Sequence, residues 1–208
     1  MLNIQLEYPP GFAGLSIAGT TEQQLRERAQ SLVNAAAQHG DIDPAELTDQ
    51  LMAVCERLNR FRILVFGAFP TQTAQPATAT MTLASAPLRN AEGVATGRDA
   101  RSALATALLE EYQRRHPHAD ARVVRLPAGP SIAAVHHGEL RLPAGEFGLS
   151  QDEVRPVYRA EFQFVSPDAR QLAVLDVTTG SADGWEYVAG QAARTARSLR
   201  FAEQDEEG

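Results

Sequence analysis

Residues 157–201 constrain the fold of this chain more than any other segment, because they predict strand, turn, strand, turn and helix in unbroken order. In the first strand, apolar and polar residues alternate with the period of a strand that has one buried face. The apolar positions are Tyr158, Ala160, Phe162 and Phe164, and the polar positions are Arg159, Glu161 and Gln163. The second strand, 172–178, is apolar at nearly every position, so we expect both of its faces to be covered. A helix opened by Trp185 follows, with apolar residues at helical spacing as far as Leu199.

Two helices between residues 21 and 59 are predicted to form an antiparallel hairpin. Thr21 can cap the first helix, which we expect to end near Gly40. Asp43 can cap the second helix, and Pro44 suits its first position. The second helix has an apolar stripe, with Cys55 beside it, that consists of Leu47, Leu51, Val54 and Leu58.

The rest of the chain reads as strands in hairpin-like order, with one more helix. The predicted strands are 2–6, 62–69, 77–83, 122–126, 131–137 and 140–142. A loop is predicted at 90–97, followed by a helix that Asp99 opens and that ends before Pro117, with Leu104, Leu108 and Tyr112 facing inward. The pentapeptide Arg-Leu-Pro-Ala-Gly, at 125–129 and again at 141–145, is predicted to end a strand in both places.

This order favours an α+β fold, with a largely antiparallel sheet and helices packed on it as an α/β/α-type sandwich. We expect a single domain over residues 1–201 that includes the helical hairpin at about 21–59. The acidic residues 202–208 are predicted to be a disordered tail.

The composition excludes several kinds of chemistry. All 19 basic residues are arginine, so Schiff-base catalysis and lysine-dependent phosphate binding are ruled out. The net charge of −7 argues against general nucleic-acid binding. No apolar run reaches the ~20 residues that a membrane span needs, and no secretory signal is recognisable, so we expect a cytoplasmic protein. The bias towards arginine and alanine is typical of a high-GC bacterial genome.

Four histidines are the main candidates for a metal or ligand site: His116, His118, His136 and His137. Neighbouring residues of a strand point to opposite faces, so His136 and His137 cannot easily share one metal. His116 and His118 follow a helix end, where a histidine commonly complements the helix dipole. A site that combines these histidines with Asp120 or Glu139 stays open as the less favoured alternative. We therefore predict no metal, no cofactor and no catalytic residue.

Asp176 is unusual because it interrupts the apolar strand 172–178. A buried carboxylate must be paired or neutral. We rank pairing with an arginine first, a strand end in water second and a pocket third. Cys55 is predicted to be a buried, inert thiol. Arg98 and Arg101, near the start of the third helix, could hold an anion, but solvated surface arginines are favoured.

The C-terminal half resembles PsbP-like α/β proteins. The residues that carry the resemblance are Tyr158-Arg-Ala-Glu-Phe-Gln-Phe-Val-Ser-Pro, then 172–179, then a closing helix that ends Ala196-Arg-Ser-Leu-Arg-Phe201. Residues 125–135 resemble the preceding hairpin of uncharacterised bacterial relatives, so the likeness covers about residues 122–201. The family includes a photosystem extrinsic subunit, a Ran-binding nuclear import factor, bacterial lipoproteins and chaperones for secreted effectors. The resemblance implies protein binding and no shared catalytic residues.

Two functions follow as expectations. The favoured one is a non-catalytic accessory protein of the adaptor or chaperone type, which binds another protein or itself, for example as a homodimer. The alternative is a domain that binds a small ligand or metal, or is hydrolytic, with an unrecognised site that uses His116, His118, His136, His137 or Asp176.

Overall fold

The computed structural model describes residues 3–37, 43–88, 98–145 and 149–202. The helices in these residues are α1 (Glu22–Ala37), α2 (Pro44–Arg60), α3 (Arg98–Arg115) and α4 (Trp185–Ser198). The strands are β1 (Ile4–Gln5), β2 (Ala13–Ser16), β3 (Ile63–Pro70), β4 (Thr78–Pro87), β5 (Asp120–Leu126), β6 (Gly129–Leu142), β7 (Glu153–Val165), β8 (Gln171–Thr179) and β9 (Arg200–Phe201).

Seven of these strands form one sheet in the order β2-β3-β4-β8-β7-β6-β5, and every neighbouring pair is antiparallel. The prediction for the C-terminal segment is confirmed, since β7 and β8 form a hairpin at the centre of the sheet and α4 follows it. Strand β8 enters between β4 and β7 and so joins the two halves of the chain in one sheet.

Helices cover both faces of this sheet, so the predicted α+β class with an α/β/α arrangement is confirmed. Met81, Phe162 and Leu175 point to the same face, where they pack against α4 in one buried cluster. We call this face the α4 face. The opposite face, called the three-helix face, carries α1 on β2, α2 on β3 and α3 on β5, β6 and β7.

The caps of the helical hairpin follow the sequence prediction. Asp43 Oδ1 accepts a hydrogen bond of 2.8 Å from the Ala45 N–H, and Pro44 occupies the first position of α2. Thr21 Oγ1 accepts from the Gln24 N–H at 3.3 Å, and Gln24 Oε1 accepts from the Thr21 N–H at 3.2 Å. This reciprocal pair is a capping box. The predicted end near Gly40 lies outside the described residues, as do the loop at 90–97, the Asp99 side chain and the tail from residue 203.

Several strand predictions need correction. The predicted strand 2–6 is reduced to β1, which pairs with β9 outside the main sheet. The strands predicted at 131–137 and 140–142 are one continuous strand, β6. Both copies of the repeated pentapeptide end a strand as expected, and their glycines have the positive φ angles that favour glycine, 122° at Gly129 and 81° at Gly145.

Strand β2 was not predicted, because it has only four residues and Gly14 interrupts its pattern. Gly14 lies directly opposite Gly67 of β3. A Cβ atom built on either glycine would come within 2.5 Å of the Phe12 ring. The absence of side chains therefore lets Phe12 lie directly on the paired backbones.

No helix in the described part of the chain is long and apolar enough to cross a membrane.

Candidate functional site

The three-helix face is open in the middle. Helix α2 packs on β3 and α3 is centred on β6, whereas β4 and β8 lie between them. Four strand spacings separate β3 from β6, which places the two helices about 19 Å apart. Two helices in contact are only about 8–10 Å apart. The described residues therefore leave a gap one helix wide, which we call the central groove.

The floor of the central groove changes from apolar to polar along its length. At one end Ala84 lies opposite Val174, and at the other end Thr80 lies opposite Thr178. The hydroxyl oxygens of these two threonines are hydrogen-bonded at 2.7 Å. Phe66 adds an aromatic ring that is 36% exposed. A molecule in the groove therefore meets apolar surface at one end and hydrogen-bonding groups at the other.

Helix α2 supplies one wall. Its Thr48 and Cys55 are buried towards the sheet, and Asp49 pairs with Arg26 of α1 at 2.8 Å. By helical geometry the flank away from α1 carries the predicted stripe, Leu47, Leu51, Val54 and Leu58. Only part of the stripe forms a core contact: Leu51 and Leu58 pack, half-buried, against the cluster that holds Cys55, whereas Val54 is 43% exposed. The exposed part of the stripe, at Val54, lies along the groove.

Helix α3 supplies the other wall. Its Gln113 Nε2 donates to the Ala121 carbonyl oxygen of β5 at 3.3 Å, so that side of α3 faces the outer edge of the sheet. Leu104 and Leu108 lie on the opposite flank and are half-buried. Apolar side chains therefore line both walls of the groove.

A cluster of polar side chains lies where the polar end of the groove meets α3. We call it the polar cluster: Tyr112, His116, His136, Arg159, Glu161 and Asp176. Arg159 donates from Nε and Nη2 to Asp176 Oδ2, and its Nη2 also lies 2.9 Å from Glu161 Oε2. Glu161 Oε1 accepts from Gln163 Nε2 at 2.6 Å. Both Glu161 and Gln163 are buried, at 5% and 7% exposure.

Two ring side chains in the polar cluster have buried polar atoms without partners. The Tyr112 hydroxyl lies beside Glu161 but forms no hydrogen bond of acceptable geometry within the described residues. The Nε2 atom of His136 also has no hydrogen-bond partner among these residues. His116 packs between these rings, with its centroid 4.6 Å from that of Tyr112 and 5.7 Å from that of His136. Buried polar atoms are normally satisfied, so these two are candidate contacts for a bound molecule.

Burial determines the charge states of the polar cluster. Burial, together with the negative charges of Glu161 and Asp176, raises the pKa of Tyr112 to about 12, so its hydroxyl stays protonated. Burial and the neighbouring Arg159 lower the pKa of His136, which favours the neutral imidazole. Burial also raises the pKa of Asp176, although Arg159 opposes that effect.

The structure brings together some of the predicted candidates and separates others. Asp176 pairs with an arginine, the alternative that we ranked first. His116 and His136 join the polar cluster, but His137 lies on the α4 face against Tyr158 and Trp185. His136 and His137 thus point to opposite faces of the sheet, as the alternation of side chains along a strand predicted.

The remaining candidates lie outside the polar cluster. His118, Asp120 and Glu139 are exposed, and in the described residues no three His, Cys, Asp or Glu side chains are placed to hold a metal ion. Burial raises the pKa of the Cys55 thiol, in keeping with an inert cysteine. Arg101 is half-buried and donates to the carbonyl oxygens of Ala128 and Val165, so it is not the solvated surface arginine that the sequence favoured. The Arg98 side chain lies outside the described residues.

Sequence reasoning missed Arg159, Glu161 and Tyr112 as members of the site. The alternating pattern predicted that Arg159 and Glu161 would face water, and Tyr112 was expected only as an apolar contact. The one signal was Asp176, because a carboxylate in an apolar strand requires a cationic partner nearby.

No protein-family model matches this chain, and no curated protein or solved structure matches it either. The resemblance to PsbP-like proteins therefore stays a prediction that rests on the quoted residues alone.

Proposed function

We propose that this protein is a non-catalytic accessory protein, of the adaptor or chaperone type, that binds an amphipathic helix of a partner protein in the central groove. The observation that carries the proposal is the placement of α2 on β3 and of α3 on β6, four strand spacings apart, because a gap of that width matches one helix packed against both walls. The groove floor from Ala86 to Thr80 is about 20 Å long, enough for about 13 residues of helix. The predicted PsbP-like resemblance supports the same kind of function, because protein binding is the common theme of that family.

The chemistry of the groove specifies the kind of helix. The apolar flanks of α2 and α3 require apolar residues on both sides of the inserted helix, as in other helix-in-groove complexes. At the polar end, two carboxylates, Glu161 and Asp176, face the single guanidinium of Arg159. The excess negative charge there favours a partner helix with a basic side chain at that end.

The first experiment is site-specific photo-cross-linking in native extract. A photoreactive amino acid is placed at Val54 or Leu108, on opposite walls of the groove, and at Ala53 as a matched control on another side of α2. We expect both wall positions to cross-link to the same segment of one partner protein, and the control position not to do so. Cross-links that are equally abundant from Ala53, or that map to unrelated segments, would contradict the proposal.

The second experiment tests the cross-linked segment as a synthetic peptide. Its dissociation constant is measured for the wild type, for Val54→Arg and for Ala53→Arg. We expect Val54→Arg to weaken binding about tenfold or more, since a buried charge without a partner is costly, and Ala53→Arg to have little effect. The peptide should gain helicity on binding, which circular dichroism measures. Equal affinity for all three proteins would exclude the groove as the binding site.

The second candidate function is small-ligand binding at the polar cluster, with or without hydrolysis. The unpartnered Tyr112 hydroxyl and His136 Nε2 favour it, since a ligand can supply the missing hydrogen bonds. A panel of metabolites is tested by thermal shift on the wild type, Tyr112→Phe and Val54→Arg. A shift that Tyr112→Phe abolishes and Val54→Arg leaves unchanged would support this candidate. If no compound raises the unfolding temperature, the candidate is rejected.

A further inference from the structure

Strands β6 and β7 extend beyond the rest of the sheet as a two-stranded arm. Pairing with β5 ends at Val135, and pairing of β7 with β8 ends at Tyr158. Beyond these points, and among the residues that the structure describes, Gly138–Leu142 pairs only with 153–157. The arm exposes apolar side chains, with Leu140 at 49% and Val154 at 57% exposure. A two-stranded ribbon is marginally stable alone, so this arm is a natural place for an added strand.

Within the described residues, the backbone groups at the outer edge of β6 in this arm are unpaired. Pro156 directs its carbonyl oxygen towards Gly180, on the side away from β6. Glu139 is the cross-strand partner of Pro156. Glu139 and Pro156 therefore form a non-hydrogen-bonded pair, in which the N–H and C=O groups of both residues point away from the neighbouring strand. Every second residue along β6 has the same orientation. Glu139 and Arg141 therefore present their N–H and C=O groups at the free edge.

The sequence of this edge is complementary to itself. If Gly138–Leu142 pairs antiparallel with the same segment of a second chain about Leu140, each Glu139 lies opposite an Arg141 of the other chain. The two Leu140 side chains then meet at the symmetry axis. Opposite charges in directly opposed positions stabilise a strand pair.

The side chains of this edge are available for such pairing. Glu139 and Arg141 lie two residues apart on one strand, yet in the described structure neither forms an ion pair or a side-chain hydrogen bond. By contrast, Glu153 and Arg155 have the same spacing on the neighbouring strand and are paired at 2.6 Å. Within this arm, the exposed charges without a side-chain partner are therefore those on the strand with the free edge.

From these observations we infer that a second copy of this chain binds to the free edge of β6 and forms a twofold dimer whose sheet runs through both subunits. This interface is separate from the central groove and does not depend on the function proposed for it. Because only five residues of each chain pair, we expect a weak dimer, with a dissociation constant on the order of 10–100 μM.

Charge reversal tests the inference. Sedimentation equilibrium is run on the wild type, Glu139→Arg, Arg141→Glu and a mixture of the two variants. Each single reversal places like charges opposite each other, so we expect dimerisation to weaken about tenfold or more. In the mixture, the reversed edges are complementary to each other, so a heterodimer of near wild-type affinity should form. That recovery also shows that both variants are folded.

The matched control is Glu56→Arg, which makes the same charge change on the exposed surface of α2 and should leave dimerisation unchanged. A wild-type mass that stays at 22.5 kDa up to the highest soluble concentration would overturn the inference. A dimer that tolerates both single reversals, or a mixture that associates no better than its components, would also overturn it, because the twofold pairing about Leu140 would then be absent.

Discussion

Glu161 of β7 lies directly opposite Asp176 of β8 on the three-helix face, and Arg159 binds both carboxylates. Two like charges in directly opposed positions destabilise a strand pair. Here they are close to the centre of the sheet, and Glu161 is only 5% exposed. The positive charge of the Arg159 guanidinium offsets the repulsion between the two carboxylates. The same side chain therefore stabilises the sheet and forms part of the polar end of the central groove.

Replacing Arg159 with methionine should strongly destabilise the protein. The substitution keeps much of the aliphatic volume but leaves two carboxylates facing each other without a cation. Breaking a fully buried ion pair costs about 3–5 kcal/mol, and because the Arg159 side chain is 32% exposed we expect about 2–3 kcal/mol. Urea unfolding measures this loss in the free energy of unfolding.

The control for that experiment is Arg155→Met on the same strand. The Arg155 side chain is 58% exposed and pairs with Glu153 at the surface, so its loss should cost less than about 0.5 kcal/mol. Adding Glu161→Gln to Arg159→Met removes the repulsion and should recover part of the stability. If Arg155→Met costs as much as Arg159→Met, or Glu161→Gln recovers nothing, the repulsion between the carboxylates is not the cause.

Tyr112→Phe should leave the protein as stable as the wild type, or up to about 1 kcal/mol more stable. Tyr112 is 2% exposed and its hydroxyl has no hydrogen-bond partner in the described structure, so removing the oxygen relieves an uncompensated polar burial. Tyr112→Ala is the comparison, because it also removes the ring and should cost about 3–5 kcal/mol. A loss of more than about 1 kcal/mol on Tyr112→Phe in urea unfolding would mean that the hydroxyl is hydrogen-bonded after all.

Gly67→Ala should destabilise the protein by about 1–3 kcal/mol through overpacking. The added methyl group would meet the Phe12 ring and the backbone of β2, both within 2.6 Å. Gly138→Ala is the matched control in β6, since nothing lies within 4 Å of its added Cβ, and it should be neutral or stabilising by about 0.5 kcal/mol. Thermal unfolding of both variants checks the difference, and equal melting temperatures would show that Phe12 does not lie on Gly67.

The parts of the fold that were predictable are those in which local pattern and burial agree. Alternation identified β7, an apolar run identified β8, and a capping residue with proline identified the start of α2. The failures have physical causes. Gly14 hides the period of β2, because the absence of a side chain at this position makes room for the Phe12 ring.

The candidate site was harder to predict because it depends on contacts between distant parts of the chain. Glu161 has the position of a surface residue in the alternating pattern, but α3 packs on that face and Glu161 is buried there. The apolar stripe of α2 was predicted correctly as a pattern, but the sequence does not say which part of it meets the sheet and which part faces the groove. Pairing of Asp176 with an arginine was predictable from charge burial, whereas the choice of Arg159 required the register of β7 against β8.

Stability should fall as the pH drops below about 6.5, the ordinary pKa of histidine, because His136 has a lowered pKa in the folded state. Burial is the main cause, Arg159 and His116 add to it, and Glu161 opposes it. Between the lowered pKa and 6.5 the unfolded chain binds more protons than the folded one, so stability in that window rises with pH. Asp176, whose pKa is raised, acts in the opposite direction.

The effect of His136 is therefore isolated as the difference in the free energy of unfolding between the wild type and His136→Gln, measured by urea unfolding from about pH 7.5 to about pH 5. We expect this difference to change with pH; a difference that stays constant over this range would show that the pKa of His136 is not lowered in the folded protein.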